Sequence, residues 1–302
     1  MLAPDPTTET DARQDRAARG ILLTVLGIGL ITVNDATMKW LTASYPMGEV
    51  IFGRGLFALA PIAFLTCRAG GFAALRWRSA RTQLICALLL AVPVFVFIYS
   101  LKQLPLSLAT IIFFTNPLFV TALAPFVLAE RVEWRRKLAV AIGFIGAVVI
   151  IDPGGTEFQW ILLGPALVAV LSAVRELYIR TAMARETAVS LLASASVLVT
   201  ATAACTAGLG DWLPLDLHAV ALLAVAGMGF GFGIYCLTEG LRFADASLLS
   251  VFKYSAIVWA LLLELLLWGQ VPAAAVWLGT GLVIASGSYI ALREHRLRRA
   301  RD

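Results

Sequence analysis

Seven ionisable side chains stand inside long apolar stretches of this chain: Asp35, Arg54, Arg175, Glu176, Glu239, Lys253 and Glu264. An ionisable group in a lipid-spanning helix costs about 2.5–3.5 kcal/mol on insertion scales, so each calls for a partner or a task. Asp35 and Lys39 are four residues apart, share a helical face and are expected to pair. Glu176 and Arg180 repeat that spacing later in the chain. Arg54 lies about seven residues into its stretch, too deep to snorkel, and its guanidinium can fork onto a carboxylate of the protein or of a ligand. Lys253, between Phe252 and Tyr254, is expected to be buried among aromatics, facing an anion or Glu239. Glu239 and Glu264 are candidates for carrying a proton, because a buried carboxylate is costly to keep charged. Asn116-Pro117 should break a helix: proline frees a carbonyl, and asparagine can hydrogen-bond to a neighbouring helix. The alternating glycines at 227, 229, 231 and 233 follow no strand, so they read as a packing stripe rather than a nucleotide loop.

The elements that position these residues follow from composition. The chain has 302 residues, 60% hydrophobic and only 14% charged. Soluble domains run near half apolar and a quarter charged, so an ordinary soluble enzyme, a disordered chain and a nucleic-acid-binding domain are excluded. A membrane helix needs about 20 apolar residues. Ten candidate spans result: 20–40, 47–67, 82–101, 106–128, 137–152, 159–179, 188–208, 217–238, 246–268 and 275–292, of which 137–152 is short. The runs are continuous rather than alternating, which argues for an all-α membrane bundle and against a barrel. The N-terminal residues lack the apolar core and cleavage site of a signal peptide, so the first span is expected to remain. Cys67, Cys86, Cys205 and Cys236 form no CxxC pair, and with two histidines no metal site or disulfide framework is expected.

Charge sets the orientation. With the N-terminus in the cytoplasm, nineteen of the 24 basic residues fall on cytoplasmic segments. The turns at 152–158, 209–216 and 269–274 hold none. That asymmetry predicts both termini inside and hence an even number of spans.

Sliding the chain on itself by about 140 residues aligns Leu101-Lys102 with Leu241-Arg242, Ser107 with Ser247 and Glu130 with Gln270. One residue further, Asp35 and Lys39 align with Glu176 and Arg180. Five spans per half insert the halves in opposite senses, the inverted repeat of secondary transporters, whose site lies between the halves near the midplane. The expected organisation is a tail at 1–19, repeats at 20–152 and 153–292, and a basic tail at 293–302. The pattern Asn34-Asp35-Ala36-x2-Lys39-Trp40-Leu41, with Tyr45-Pro46 and Phe52-x-Arg54, resembles the opening of the drug/metabolite transporter superfamily. More closely it resembles the ten-helix branch with two EamA domains. Asn116-Pro117, Leu128-x-Glu130-Arg131 and Gly143-x2-Gly146 resemble the rest of that domain. The second copy keeps Tyr254-Ser255, Trp268 to Pro272 and Gly279-x-Gly281, with Gln270 in place of the usual glutamate. The resemblance implies that Arg54 is the family's arginine in that helix. It also brings in relatives that carry S-adenosylmethionine, riboflavin or amino acids.

These readings converge on a secondary carrier for a small polar, zwitterionic or heterocyclic metabolite in a bacterial-type inner membrane. Its expected binding or gating residues are Asp35, Lys39, Arg54, Asn116, Pro117, Glu176, Arg180, Lys253 and Tyr254. The partners are the metabolite and the bilayer, with no nucleic acid, no cofactor and a homodimer left open. An integral membrane enzyme such as a lipid transferase, or a non-transporting sensor, is the competing reading. No Walker motif is present to supply ATP drive.

Overall fold

The computed structural model describes residues 6–128, 134–151, 159–182, 186–208, 210, 212–244 and 246–299. Among the described residues the chain is helical and contains no strand. The helices are α1 (Pro6–Leu41), α2 (Met47–Arg68), α3 (Ala80–Gln103), α4 (Leu106–Phe113), α5 (Asn116–Leu128), α6 (Trp134–Ile151), α7 (Leu163–Ala182), α8 (Ala188–Cys205), α9 (Leu217–Gly240), α10 (Ala246–Phe252), α11 (Ser255–Trp268) and α12 (Ala274–Arg299). Side chains begin three of them in the expected way: Ser79, Thr187 and Asp216 each accept a bond from the backbone N–H three residues on. Gly269, at φ 65°, ends α11 in the left-handed conformation that glycine adopts without strain.

Among the described residues, nine stretches are long and apolar enough to cross a membrane, counting α4 with α5 and α10 with α11 as single broken spans. The tenth, α6, has a shorter apolar segment, Lys137–Ile151. Its 18 helical residues nevertheless reach about 27 Å, close to the thickness of a bilayer core. Ten helical passes thus match the sequence reading. Glu130, Arg131 and the boundary at 152/153 lie outside the described residues.

The main packing pairs exchange when the halves exchange. Helix α1 packs on α9 and α11, while α7 packs on α3 and α5. Helix α2 packs on α9, and α8 on α3. The pairs α2 with α8 and α6 with α12 map onto themselves. That is the contact pattern expected of two five-helix repeats.

Glycine explains how α9 fits between two neighbours. A Cβ at Gly227 would lie 2.6 Å from the Phe57 side chain of α2, and one at Gly231 would strike Pro61. A Cβ at Gly233 would lie 2.8 Å from the Gly27 carbonyl of α1. Gly227 and Gly231 thus admit α2, while Gly233 and Gly229, whose Cβ would lie 3.3 Å from the Leu30 carbonyl, admit α1, which accounts for the alternation.

Candidate functional site

Both fourth spans are broken at the same place. In the first half α4 stops at Phe113 and α5 starts at Asn116; in the second α10 stops at Phe252 and α11 starts at Ser255. At each junction the backbone tightens to bonds three residues apart, Leu118 to Thr115 in one, Ala256 to Lys253 and Ile257 to Tyr254 in the other. Pro117 sits in the first turn of α5, where its missing N–H is harmless, so it starts a helix rather than kinking one. Asn116 donates to the Ala169 carbonyl of α7 at 3.0 Å, tying the break to the other half. The second break forms without a proline.

Asp35 and Arg54 come together on neighbouring helices. Asp35 lies six residues before the end of α1 and Arg54 seven after the start of α2, so both sit about 9–11 Å below that end of the bundle. Met38 and Ile51 pack in one cluster between them and the rim. The two charges interact through space without forming an ion pair. Asp35 Oδ1 accepts the Asn34 amide at 2.8 Å. Arg54 is 7% exposed, and its guanidinium lies 4.2 Å over the Phe230 ring of α9. Its Nε has no hydrogen-bond partner, and neither does the buried Oδ1 of Asn34. A charged group buried in this way is normally compensated. The compensation here is partial, an aromatic face and a distant carboxylate.

Lys39 does not meet Asp35. Its ammonium reaches past the rim of α1 to lie 3.7 Å from Glu264 Oε1, donates to the Leu104 carbonyl at 2.6 Å and sits 4.8 Å over the Trp268 ring. Tertiary packing overrides the i,i+4 geometry because Glu264, 1% exposed, offers a fully buried counter-charge. Glu264 Oε2 also accepts the backbone N–H groups of Leu106 and Ser107, the first turn of α4. One carboxylate therefore joins α1, α4 and α11. Beside it a cavity of about 230 Å³ is lined by Ser107, Leu108, Glu264, Gln270 and Pro272 among others.

The remaining sequence candidates separate. Lys253 sits in the break between α10 and α11 and is exposed rather than buried among aromatics, whereas Glu264 is buried. Glu239 pairs with Arg242 at 3.0 Å and not with Lys253. Tyr254 is buried, stacks 5.3 Å from Phe114 of the other break, and its hydroxyl points at Gly287 with no partner. Glu176 is exposed on α7. The Arg180 side chain lies outside the described residues, and with it the second gate pair. Arg175 is partly buried near Cys86, with its Nε unpartnered.

One cluster escaped the sequence reading. Buried Glu186 accepts the backbone N–H groups of Arg78 at 3.0 Å and Ser79 at 2.7 Å, and the Gln83 amide at 2.8 Å. Gln83 also donates to Ser190 at 2.8 Å and accepts from Ser194 at 2.5 Å. This network fastens α8 to the start of α3. Its partial mirror is Glu49 at the start of α2, which accepts the Leu213 N–H ahead of α9 at 3.1 Å. Gln83 was a polar residue within an apolar run, the signal that could have found it; Glu186 lay among basic loop residues and looked solvated.

Comparison with known proteins adds a family match, three relatives and a solved structure. Residues 18–152 match the EamA-like transporter family. The chain is 26% identical over 278 residues to an S-adenosylmethionine uptake transporter of Rickettsia prowazekii, covering 92% of this chain and 94% of that one. It is 29% identical over 296 residues to a riboflavin transporter of Rhizobium johnstonii, covering 97% of each. It is also 24% identical to a pseudopaline exporter of Pseudomonas aeruginosa over 90% of this chain and 95% of that one. A solved crystal structure shares the fold, with a TM-score of 0.62 at 19% identity over 94% of this chain and 99% of the other.

Proposed function

We propose that this chain, which belongs to the EamA-like transporters of the drug/metabolite transporter superfamily, is a secondary carrier that moves a small polar metabolite by alternating access. The substrate site is assigned to the Asp35–Arg54 region between α1, α2 and α9, continuing toward the broken helices at Asn116-Pro117 and Lys253-Tyr254. One observation carries this most: a buried guanidinium in the bundle with no ion pair beside an acid that also lacks one. Such an arrangement is costly for a structure and useful for a binding site. The named relatives are transporters, which favours carriage over the enzyme and sensor readings. They include both an uptake protein and an exporter, so direction is a property to be measured.

The repeats 20–152 and 153–292 would rock against each other about this site. At the end that the arginine count places outside, the Lys39–Glu264 cluster joins α1, α4 and α11 and acts as the outer closure. Glu186 and Gln83 join α3 and α8 at the opposite end and act as the inner one. Glu239, partly exposed and paired with Arg242, is less suited to carry a coupling proton than Glu264. Both termini are assigned to the cytoplasm and the protein to a bacterial inner membrane, as the arginine distribution supports. Uptake of radiolabelled S-adenosylmethionine and riboflavin into proteoliposomes tests the proposal. Flux above protein-free vesicles that falls at least tenfold in Asp35→Asn or Arg54→Gln is expected, and normal flux in both variants contradicts the site.

A further inference from the structure

Resting on the carrier reading, we infer that the Asp35–Arg54 site recognises the zwitterionic head of an α-amino acid, its carboxylate on Arg54 and its ammonium on Asp35 and Asn34. Three unfilled valences carry this. Arg54 is buried, one face of its guanidinium is covered by Phe230, and its Nε is unpartnered, which leaves an edge of donors for a planar oxyanion. Asp35 uses Oδ1 for the Asn34 amide, while no donor reaches its other oxygen among the described residues. Asn34 Oδ1, on the same turn, is buried and lacks a donor. Donors on one helix and acceptors on the next, at one depth, complement a molecule with an anion and a cation a few ångströms apart.

Charge counting narrows the ligand class. The site holds one positive and one negative charge. A zwitterion neutralises each locally and adds no net charge to the bundle. A neutral heterocycle would leave both ions only partly compensated, and a simple anion would leave Asp35 facing it. Leaving a buried polar partner empty is what lets a site reject the wrong ligand by large factors.

The test uses the full chain in proteoliposomes and in detergent, with paired probes. S-adenosylmethionine is compared with 5′-methylthioadenosine, which lacks the amino-acid head. Methionine is compared with 3-(methylthio)propylamine, which lacks the carboxylate, and with N-acetylmethionine, which lacks the ammonium. Riboflavin is the neutral heterocycle. The expected result is that Arg54→Gln raises Kd for the bound zwitterion about 100-fold and changes that of its carboxylate-free partner less than threefold. Arg54→Lys falls between, because the charge is kept and the fork is lost. Asp35→Asn shrinks the preference for methionine over N-acetylmethionine from about 100-fold to below tenfold, a change in the ratio of two Kd values that a uniform loss of folded protein does not produce. Equal weakening of zwitterion and truncated probe by Arg54→Gln overturns the assignment. So does transport of riboflavin that ignores Arg54→Gln, an outcome that leaves the carrier reading standing. Absence of flux for every probe, from protein that melts cooperatively, overturns the carrier reading and the head assignment together.

Discussion

Replacing Glu264 by glutamine should open the end of the bundle that carries Lys39 and Trp268. The carboxylate is 1% exposed, lies 3.7 Å from the Lys39 ammonium and caps the first turn of α4 through Leu106 and Ser107. Two opposite charges at that distance attract by about 4.5 kcal/mol at an effective dielectric of about 20. Removing one partner of a buried pair costs about 3–5 kcal/mol, because the other charge stays behind. Lys39 keeps the Leu104 carbonyl and the Trp268 face, so the lower figure is the better one. If the cluster exists only while this end is closed, about 3 kcal/mol shifts the open-to-closed ratio about 150-fold. The assay is labelling of a Leu108→Cys reporter, which lines the cavity beside Glu264, by a membrane-impermeant maleimide. Cys67, Cys86, Cys205 and Cys236 are replaced beforehand. Glu264→Gln should speed labelling about 100-fold, Lys39→Met should do nearly the same, and the double variant should add little. Labelling within threefold of the parent in both single variants would refute the closure.

Three further outcomes follow from the geometry. Glu186→Gln leaves the N–H groups of Arg78 and Ser79 with a weaker acceptor and should destabilise the protein by about 2–3 kcal/mol, seen as a lower melting temperature in detergent. Gly231→Val drives a side chain into Pro61 and should separate α9 from α2, costing about 1–3 kcal/mol or more in melting experiments, whereas Gly281→Ala, which meets open space, should not. Tyr254→Phe removes a buried hydroxyl with no partner, so the ligand-free protein should melt higher by the equivalent of about 1 kcal/mol while transport falls; unchanged transport would remove Tyr254 from the site.

The architecture was legible because lipid imposes simple rules. Length, apolarity and the arginine distribution gave ten passes, and five spans per half required the halves to be inverted. The short fifth span was legible too, and α6 bears out its shortness. Side-chain partnerships were much less so. Lys39 looked committed to Asp35 by helical spacing, but its flexible stem reaches a better-buried carboxylate 225 residues away in sequence. Lys253 and Glu264 are eleven residues apart and would share a face of an unbroken helix, but α10 ends at Phe252 and α11 starts at Ser255, and that break has no proline to announce it. The Phe230 face over Arg54 was hidden for another reason: a phenylalanine among glycines reads as packing until the partner helix is known. Arg54 itself was legible as a charge well inside its helix, and it is buried there, because position along a helix is a local property.

Solute counterflow in proteoliposomes tests the central claim most directly. Vesicles loaded with unlabelled S-adenosylmethionine or methionine are diluted into a trace of the labelled compound, without ATP or an ion gradient. A carrier with one site reached alternately from each side must give a transient accumulation of label above equilibrium, and Arg54→Gln must abolish it for the zwitterion. Simple equilibration without overshoot, or an overshoot that Arg54→Gln leaves intact, contradicts the account.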